Sequence, residues 1–143
     1  RESNATILLG GNAPQGETLS QGCFVEPTLI TGVTDQMAIA RDEVFGPVVV
    51  VRAVASFEEA VAAVNDSQYG LSAALFTNSL RHAQRFLDEA DTGQVSINLP
   101  TSGWDVHQPF GGFKDSGSAF KEQGLEGLRF YTRTKMAAVR FEW

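Results

Sequence analysis

The run Asp42-Glu43-Val44-Phe45-Gly46-Pro47 leads directly into the apolar residues 48–51. An acidic pair, an aromatic and a Gly-Pro turn thus precede a strand. A carboxylate at the mouth of a buried strand is costly without a partner. Glu43 is therefore either a turn-stabilising acceptor or a ligand contact, against the ordinary reading of a solvated loop acid. Cys23 is the only thiol. A nucleophilic cysteine needs a helix N-terminus, a cation or a base to lower its pKa. Cys23 lies between Gly22 and Phe24 with no helix start nearby, so it reads as structural. His82 sits between Arg81 and Ala83 on the polar face of a predicted helix and reads as solvated. His107 falls in an aromatic-rich loop, where a place in a pocket or in solvent are both open. Two distant histidines do not make a metal site. The stretch Gly111-Gly112-Phe113-Lys114-Asp115-Ser116-Gly117 suggests a phosphate loop but fails the G-x-x-x-x-G-K-[ST] spacing. No G-x-G-x-x-G follows a strand, so the glycines read as tight turns and close backbone approaches.

The elements that must position these residues follow from periodicity. Residues 5–9 read as a strand ending at Gly10-Gly11, and 12–21 as a loop. Residues 24–33 mix β-branched residues with Pro27 and Gly32, giving short strands with a bend. Asp35 is placed to cap a short helix through Met37, Ile39 and Ala40, stopped by Gly46-Pro47. Residues 48–54 predict a buried strand. Ser56-Phe57-Glu58-Glu59 is a capping box opening a helix to about Asn65, with Phe57, Ala60, Val61 and Val64 as its apolar stripe. Residues 71–76 form the next strand. Asn78 or Ser79 caps a second helix whose buried face is assigned to Leu80, Ala83, Leu87 and Ala90, followed by a strand at 94–98. This alternation predicts right-handed βαβ units: an α/β fold with a mostly parallel sheet and flanking helices. Residues 99–117 form a long irregular stretch, and such loops are functional or disordered. Trp104, Phe110 and Phe113 favour function. A last helix spans 122–131 and a last strand 135–141.

The chain has 143 residues, 43% hydrophobic and 20% charged, with a formal charge of −6. That is enough for one domain with a core. The acidic balance argues against a nucleic-acid surface. No apolar run is long enough to span a bilayer, and Arg1-Glu2-Ser3-Asn4 lacks a signal-peptide core. One cysteine allows no intrachain disulfide and no cysteine zinc cage. A cytoplasmic, reducing compartment is the expectation. The first residue is Arg, and the apolar run Ile7-Leu8-Leu9 begins soon after. A piece of a longer protein is expected.

Three stretches occur in order: 42–47 (DEVFGP), 65–76 (NDSQYGLSAALF) and 109–117 (PFGGFKDSG), with 22–28 (GCFVEPT) upstream. Together they resemble the C-terminal part of the catalytic domain of NAD(P)-dependent aldehyde dehydrogenases, over essentially the whole chain. The resemblance implies that Glu43 accepts hydrogen bonds from both hydroxyls of the nicotinamide ribose. A carboxylate is suited to a cis-diol. It implies that Phe45 packs beside the ribose and nicotinamide of NAD or NADP. Phe110 matches an aromatic bordering the aldehyde site, and Thr101, Ser102 and Trp104 would supply variable substrate contacts. The loop 98–112 is most similar to enzymes oxidising 2-oxoglutarate semialdehyde, also called 2,5-dioxopentanoate. The hydroxyls of Thr101 and Ser102 would be the donors to a substrate carboxylate, although no arginine stands in that loop to pair with it.

The same resemblance places the nucleophilic cysteine, the oxyanion donor, the general-base glutamate and the Rossmann-type cofactor domain upstream of these residues. Cys23 falls in the wrong motif for the nucleophile. No catalytic residue is expected in this chain, and the isolated chain is expected to be inactive. Residues 1–132 would be catalytic-domain chain, and 133–143 an oligomerisation strand pairing with another subunit of a homodimer or homotetramer. Two rivals stand beside this reading. One is a non-catalytic interaction module, and the other is a succinate-semialdehyde-type dehydrogenase.

Overall fold

Strand Thr6–Leu9 (β1) pairs antiparallel with Thr28–Thr31 (β2), which pairs parallel with Val48–Val50 (β3). This sheet belongs to the first of two compact units, Arg1–Ala55, the second being Ser56–Trp143. The computed structural model describes residues 4–142. Gly10 ends β1 in the left-handed region, where a Cβ would collide with the Pro27 carbonyl oxygen. That close approach lets the Thr28 hydroxyl accept from the Gly11 N–H at 2.9 Å and donate to the Glu26 carbonyl at 2.8 Å. The helix Ala38–Arg41 (α1) is a single turn capped without a side-chain bond at Met37. Asp35 is therefore not the cap. Its carboxylate pairs with Arg52, and its carbonyl accepts from Arg41 Nε at 2.6 Å. The strand at 48–54 is shorter and less buried than its β-branched run suggests, with Val49 57% exposed. The reason is topological: in the order β1-β2-β3, β3 is an edge.

The second unit runs helix Phe57–Asn65 (α2), strands Tyr69–Gly70 (β4) and Ser72–Leu75 (β5), helix Leu80–Glu89 (α3), strands Gln94–Ile97 (β6) and Phe113–Lys114 (β7), and helix Gly124–Phe130 (α4). β5 and β6 pair in parallel across α3, which makes the expected βαβ unit. β4 and β7 pair antiparallel. The α/β class holds. The mostly parallel sheet holds only in part, because among the described residues the ladders fall into three small sheets, two ladders parallel and two antiparallel. Residues 132–142 form neither helix nor strand. The strand expected at 135–141 finds no ladder partner among the described residues, and a strand needs a second strand to take its hydrogen bonds. No helix of the described residues is long and apolar enough to cross a membrane.

The core of this unit is Val61, Ala73, Phe86 and Ala90, flanked by Phe57, Val64, Leu75, Val95 and Ile97. The serine half of the capping box is realised, with Ser56 Oγ accepting from the Glu59 N–H at 3.1 Å. Ser79, not Asn78, caps α3, accepting from the His82 N–H at 3.2 Å. The buried face of α3 differs from the assigned one. Phe86 and Ala90 are inside, whereas Leu80 is 84% and Leu87 48% exposed. Both stripes have helical spacing, and the aromatic takes the interior because it removes more apolar area from water.

His82 is not simply solvated. Its ring stacks on Phe57 with centroids 4.5 Å apart, and the Arg85 guanidinium lies 4.7 Å from the same ring. Arg85 also bonds Glu58 at 2.6 Å and Glu89 at 2.7 Å, tying α2 to α3. The hydrogen bond from Arg85 holds the Glu58 carboxyl below its ordinary value of 4.5. A depressed carboxyl contributes stability above its unfolded pKa and loses it as pH falls through the folded one. Arg85→Met is expected to flatten this part of the acid limb. In urea titrations from pH 6 down to 3, the wild type should exceed the variant at pH 6 by a margin that shrinks on acidification. A constant margin would assign the loss to packing alone.

Candidate functional site

The segment carrying Glu43 and Phe45 is held at both ends by the backbone. The Asp42 N–H donates to the Ala38 carbonyl at 2.8 Å and closes α1. Beyond the turn, the Val48 N–H donates to the Gly46 carbonyl and the Thr28 N–H to the Pro47 carbonyl, each at 2.8 Å. The turn is thus continuous with the β2–β3 ladder. Between these anchors Phe45 takes φ 51°. A bulky L-residue pays roughly 1–2 kcal/mol for that left-handed geometry. It gains no burial in return within this chain, because Phe45 is 89% exposed. Glu43 is exposed as well and makes no hydrogen bond or ion pair among the described residues. The turn-stabilising role is therefore not what the carboxylate does. A free carboxylate two residues from an outward aromatic on strained, anchored backbone suits a ligand with hydroxyls and a ring.

The second group lies in the other unit. Asn98 starts its loop at φ 58° and clamps Thr77 both ways, accepting from its N–H at 2.8 Å and donating to its carbonyl at 3.0 Å. The Trp104 indole N–H donates to the Thr101 carbonyl at 3.1 Å, across Gly103 at φ 84°. This one turn gathers Thr101, Ser102 and Trp104, with both hydroxyl residues exposed and the indole half-buried. His107 is exposed and bonds Asp105 through Nδ1 at 2.6 Å. The His107 backbone N–H, and then its ring, hold the Asp105 carboxyl below its ordinary value. Phe110 is half-buried on the returning arm. It is fixed by a two-way backbone bridge to Glu122, at 2.6 and 2.7 Å. A cleft of about 450 Å³ opens near α4, lined by Phe120, Lys121, Glu126, Arg129, Phe130 and Thr132, and none of the expected substrate contacts lines it. Among the described residues no three His, Cys, Asp or Glu side chains group as a metal site. Cys23 is exposed in irregular chain before β2.

Sequence reasoning missed the residues that hold this loop. Lys114 Nζ donates to the Asn65 carbonyl at 2.8 Å and lies 3.2 Å from Asp91. The Asn65 side chain donates to the Glu89 carbonyl and accepts from the Asp91 N–H, each at 2.8 Å. Lys121 Nζ donates to the Gly93 and Gly111 carbonyls. No local signal marks these tethers, because the carbonyls that the lysines meet lie far along the chain.

The profile of the aldehyde dehydrogenase family matches residues 1–137. This chain belongs to that family. It is 50% identical over 132 residues to an alpha-ketoglutarate semialdehyde dehydrogenase of Haloferax volcanii, covering 92% of this chain and 27% of the relative. It is 38% identical over 140 residues to the alpha-ketoglutaric semialdehyde dehydrogenase of Bacillus subtilis, covering 98% of this chain and 29% of the relative. The crystal structure of betaine aldehyde dehydrogenase from Staphylococcus aureus in complex with NAD+ superposes with a TM-score of 0.84 at 41% identity, covering 90% of this chain and 25% of that one. The chain therefore spans between a quarter and a third of the length of these relatives.

The packing around Gly93 gives a direct check on the loop. A Cβ there would collide with the Gly111 carbonyl oxygen and the Lys121 ammonium. Gly93→Ala is expected to cost about 2 kcal/mol through overpacking, read as a lower urea midpoint. An unchanged midpoint would show that the two backbones do not approach this closely.

Proposed function

We propose that this chain is the part of an NAD(P)-dependent aldehyde dehydrogenase that grips the nicotinamide ribose and walls the aldehyde path. The whole enzyme would oxidise 2-oxoglutarate semialdehyde to the acid. The observation that carries the reading is the Glu43–Phe45 turn, with its unpartnered carboxylate and strained outward aromatic. Bound there, the nicotinamide cofactor would supply the hydride acceptor. Glu43 would accept from the two ribose hydroxyls, and Phe45 would cover one side of the ribose and ring. Both act by orientation, since a reactive ring fixed in place removes rotational freedom from the reacting pair.

In the other unit, Phe110 and Trp104 would exclude water beside the aldehyde. The Thr101 and Ser102 hydroxyls would donate to the substrate's distal carboxylate. Lys114, the only cation in 99–117, is already committed to Asn65 and Asp91. The two semialdehyde relatives support this substrate class. Residues 133–143 would add a strand to another subunit of a homodimer or homotetramer. Their exposed Met136, Val139 and Phe141, at 84%, 72% and 77%, suit burial against a second chain.

Two measurements in the whole enzyme test the assignments. Glu43→Gln weakens two charge-assisted hydrogen bonds and is expected to raise the cofactor KM about tenfold or more. Unchanged cofactor affinity and turnover would remove the ribose role. Thr101→Val with Ser102→Ala is expected to raise the KM for the semialdehyde about tenfold while sparing an uncharged aldehyde of equal length. Equal effects on both aldehydes would remove the carboxylate role.

A further inference from the structure

The returning arm of the loop presents Phe110 with very little regular structure beneath it. β7 is two residues long, and residues 115–123 have neither helix nor strand. One side chain sits where the arm, the turn before β6 and the next segment converge. Lys121 Nζ donates to the Gly93 carbonyl at 3.3 Å and to the Gly111 carbonyl, and lies 4.6 Å from the centre of the Phe113 ring. Its neighbours in sequence are both engaged. Glu122 makes the two-way bridge to Phe110, and the Phe120 ring meets Phe130 edge-on at 6.2 Å. The Gly111 carbonyl that Lys121 holds is one residue from Phe110. The Gly93 carbonyl belongs to the turn that starts β6, and the Gly93 N–H donates to the Gly70 carbonyl at 2.9 Å.

We infer that Lys121 is a positioning residue for the substrate wall: its ammonium ties the Phe110-bearing arm to the β6 turn and so sets how Phe110 faces the aldehyde. The inference rests on the proposed role of Phe110. Three features of the site support a cation at this point. Two carbonyls from segments about 18 residues apart in sequence converge on one atom, which a neutral side chain would leave unpaired. An aromatic face closes a third side, the arrangement a cation prefers. Glycine at 93 and at 111 brings both backbones within reach, and Gly111 stands at φ 144°. Burial pushes the lysine below its ordinary pKa, so its charge is held at a cost to desolvation that the carbonyls and ring offset.

The test uses the whole enzyme and three variants: Lys121→Met, Lys121→Arg and Phe110→Ala. Lys121→Met is expected to raise the aldehyde KM about fivefold or more with the cofactor KM within about twofold. Lys121→Arg keeps the charge and should recover most of the loss. In the Phe110→Ala background, Lys121→Met should have little further effect, because both changes act through one ring. Amide hydrogen exchange reads the geometry separately: Lys121→Met should speed exchange at Phe110 and Glu122 about tenfold or more, with α3 unchanged. Unchanged exchange at those amides would overturn the inference. Additive effects of the two variants on KM would also overturn it. If Phe110→Ala alone leaves the aldehyde KM unchanged, the wall assigned to Phe110 fails. Faster exchange in Lys121→Met would then still show the tether.

Discussion

A backbone segment without a ladder keeps its place only where its carbonyls and N–H groups find partners, and this chain meets that constraint with lysine. The loop from 98 to 123 contains one two-residue strand. Its path is fixed by Lys114 on Asn65, by Lys121 on Gly93 and Gly111, and by the Phe110–Glu122 bridge. Long flexible side chains suit this work, because three donors on one ammonium can satisfy carbonyls arriving from different directions. The cost is the loss of rotamer freedom in the lysine and partial desolvation of its charge. Asn65 carries the pattern further. One amide joins the ends of α2 and α3, and its own carbonyl receives Lys114. The motif NDSQYGL is thus first a junction of backbones.

The turn at 43–47 in the first unit solves the same problem through the backbone. The turn 43–47 is held by N–H donors from Thr28 and Val48, so its shape follows from the sheet register. Proline at 47 removes a donor but leaves the carbonyl that Thr28 needs. Between these fixed ends Phe45 takes the left-handed region. The strain is local and the anchoring is cooperative, so a segment of this kind presents its side chains at a defined angle.

Legibility in the sequence followed the range of the interactions. The serine cap at Ser56, the two helices near it and the parallel pair β5–β6 were readable, because propensity, caps and periodicity act over a few residues. What failed depended on neighbours far along the chain. The 48–54 run has the composition of a buried strand, yet strand order puts β3 at an edge. Leu80 and Leu87 have the spacing of a buried face, yet Phe86 fills the space against Val61 and Ala73. Asp35 has the chemistry of a cap but finds Arg52 first. Of the candidate site, the motifs drew attention to Glu43, Phe45, Thr101, Ser102 and Trp104, but not to the turn that gathers the last three. The lysine tethers could not be anticipated, since nothing local tells a lysine which carbonyl it will meet.

Two kinds of exposed group remain, and physical chemistry separates them. Leu80, Met136 and Phe141 are apolar and more than three-quarters exposed, at 84%, 84% and 77%. Such groups gain from any dry surface, and contact with protein is enough to explain them. A carboxylate gains nothing from a dry surface, and water alone satisfies it. Exposure of Glu43 by itself would therefore carry no argument. What distinguishes it is Phe45, whose φ of 51° costs energy that solvent does not return. On the proposed reading, a ligand with hydroxyls and a flat ring would use both the free acid and the outward aromatic. A polar diol joined to a flat ring meets that description, whereas an apolar protein face would leave the acid desolvated and unpaired.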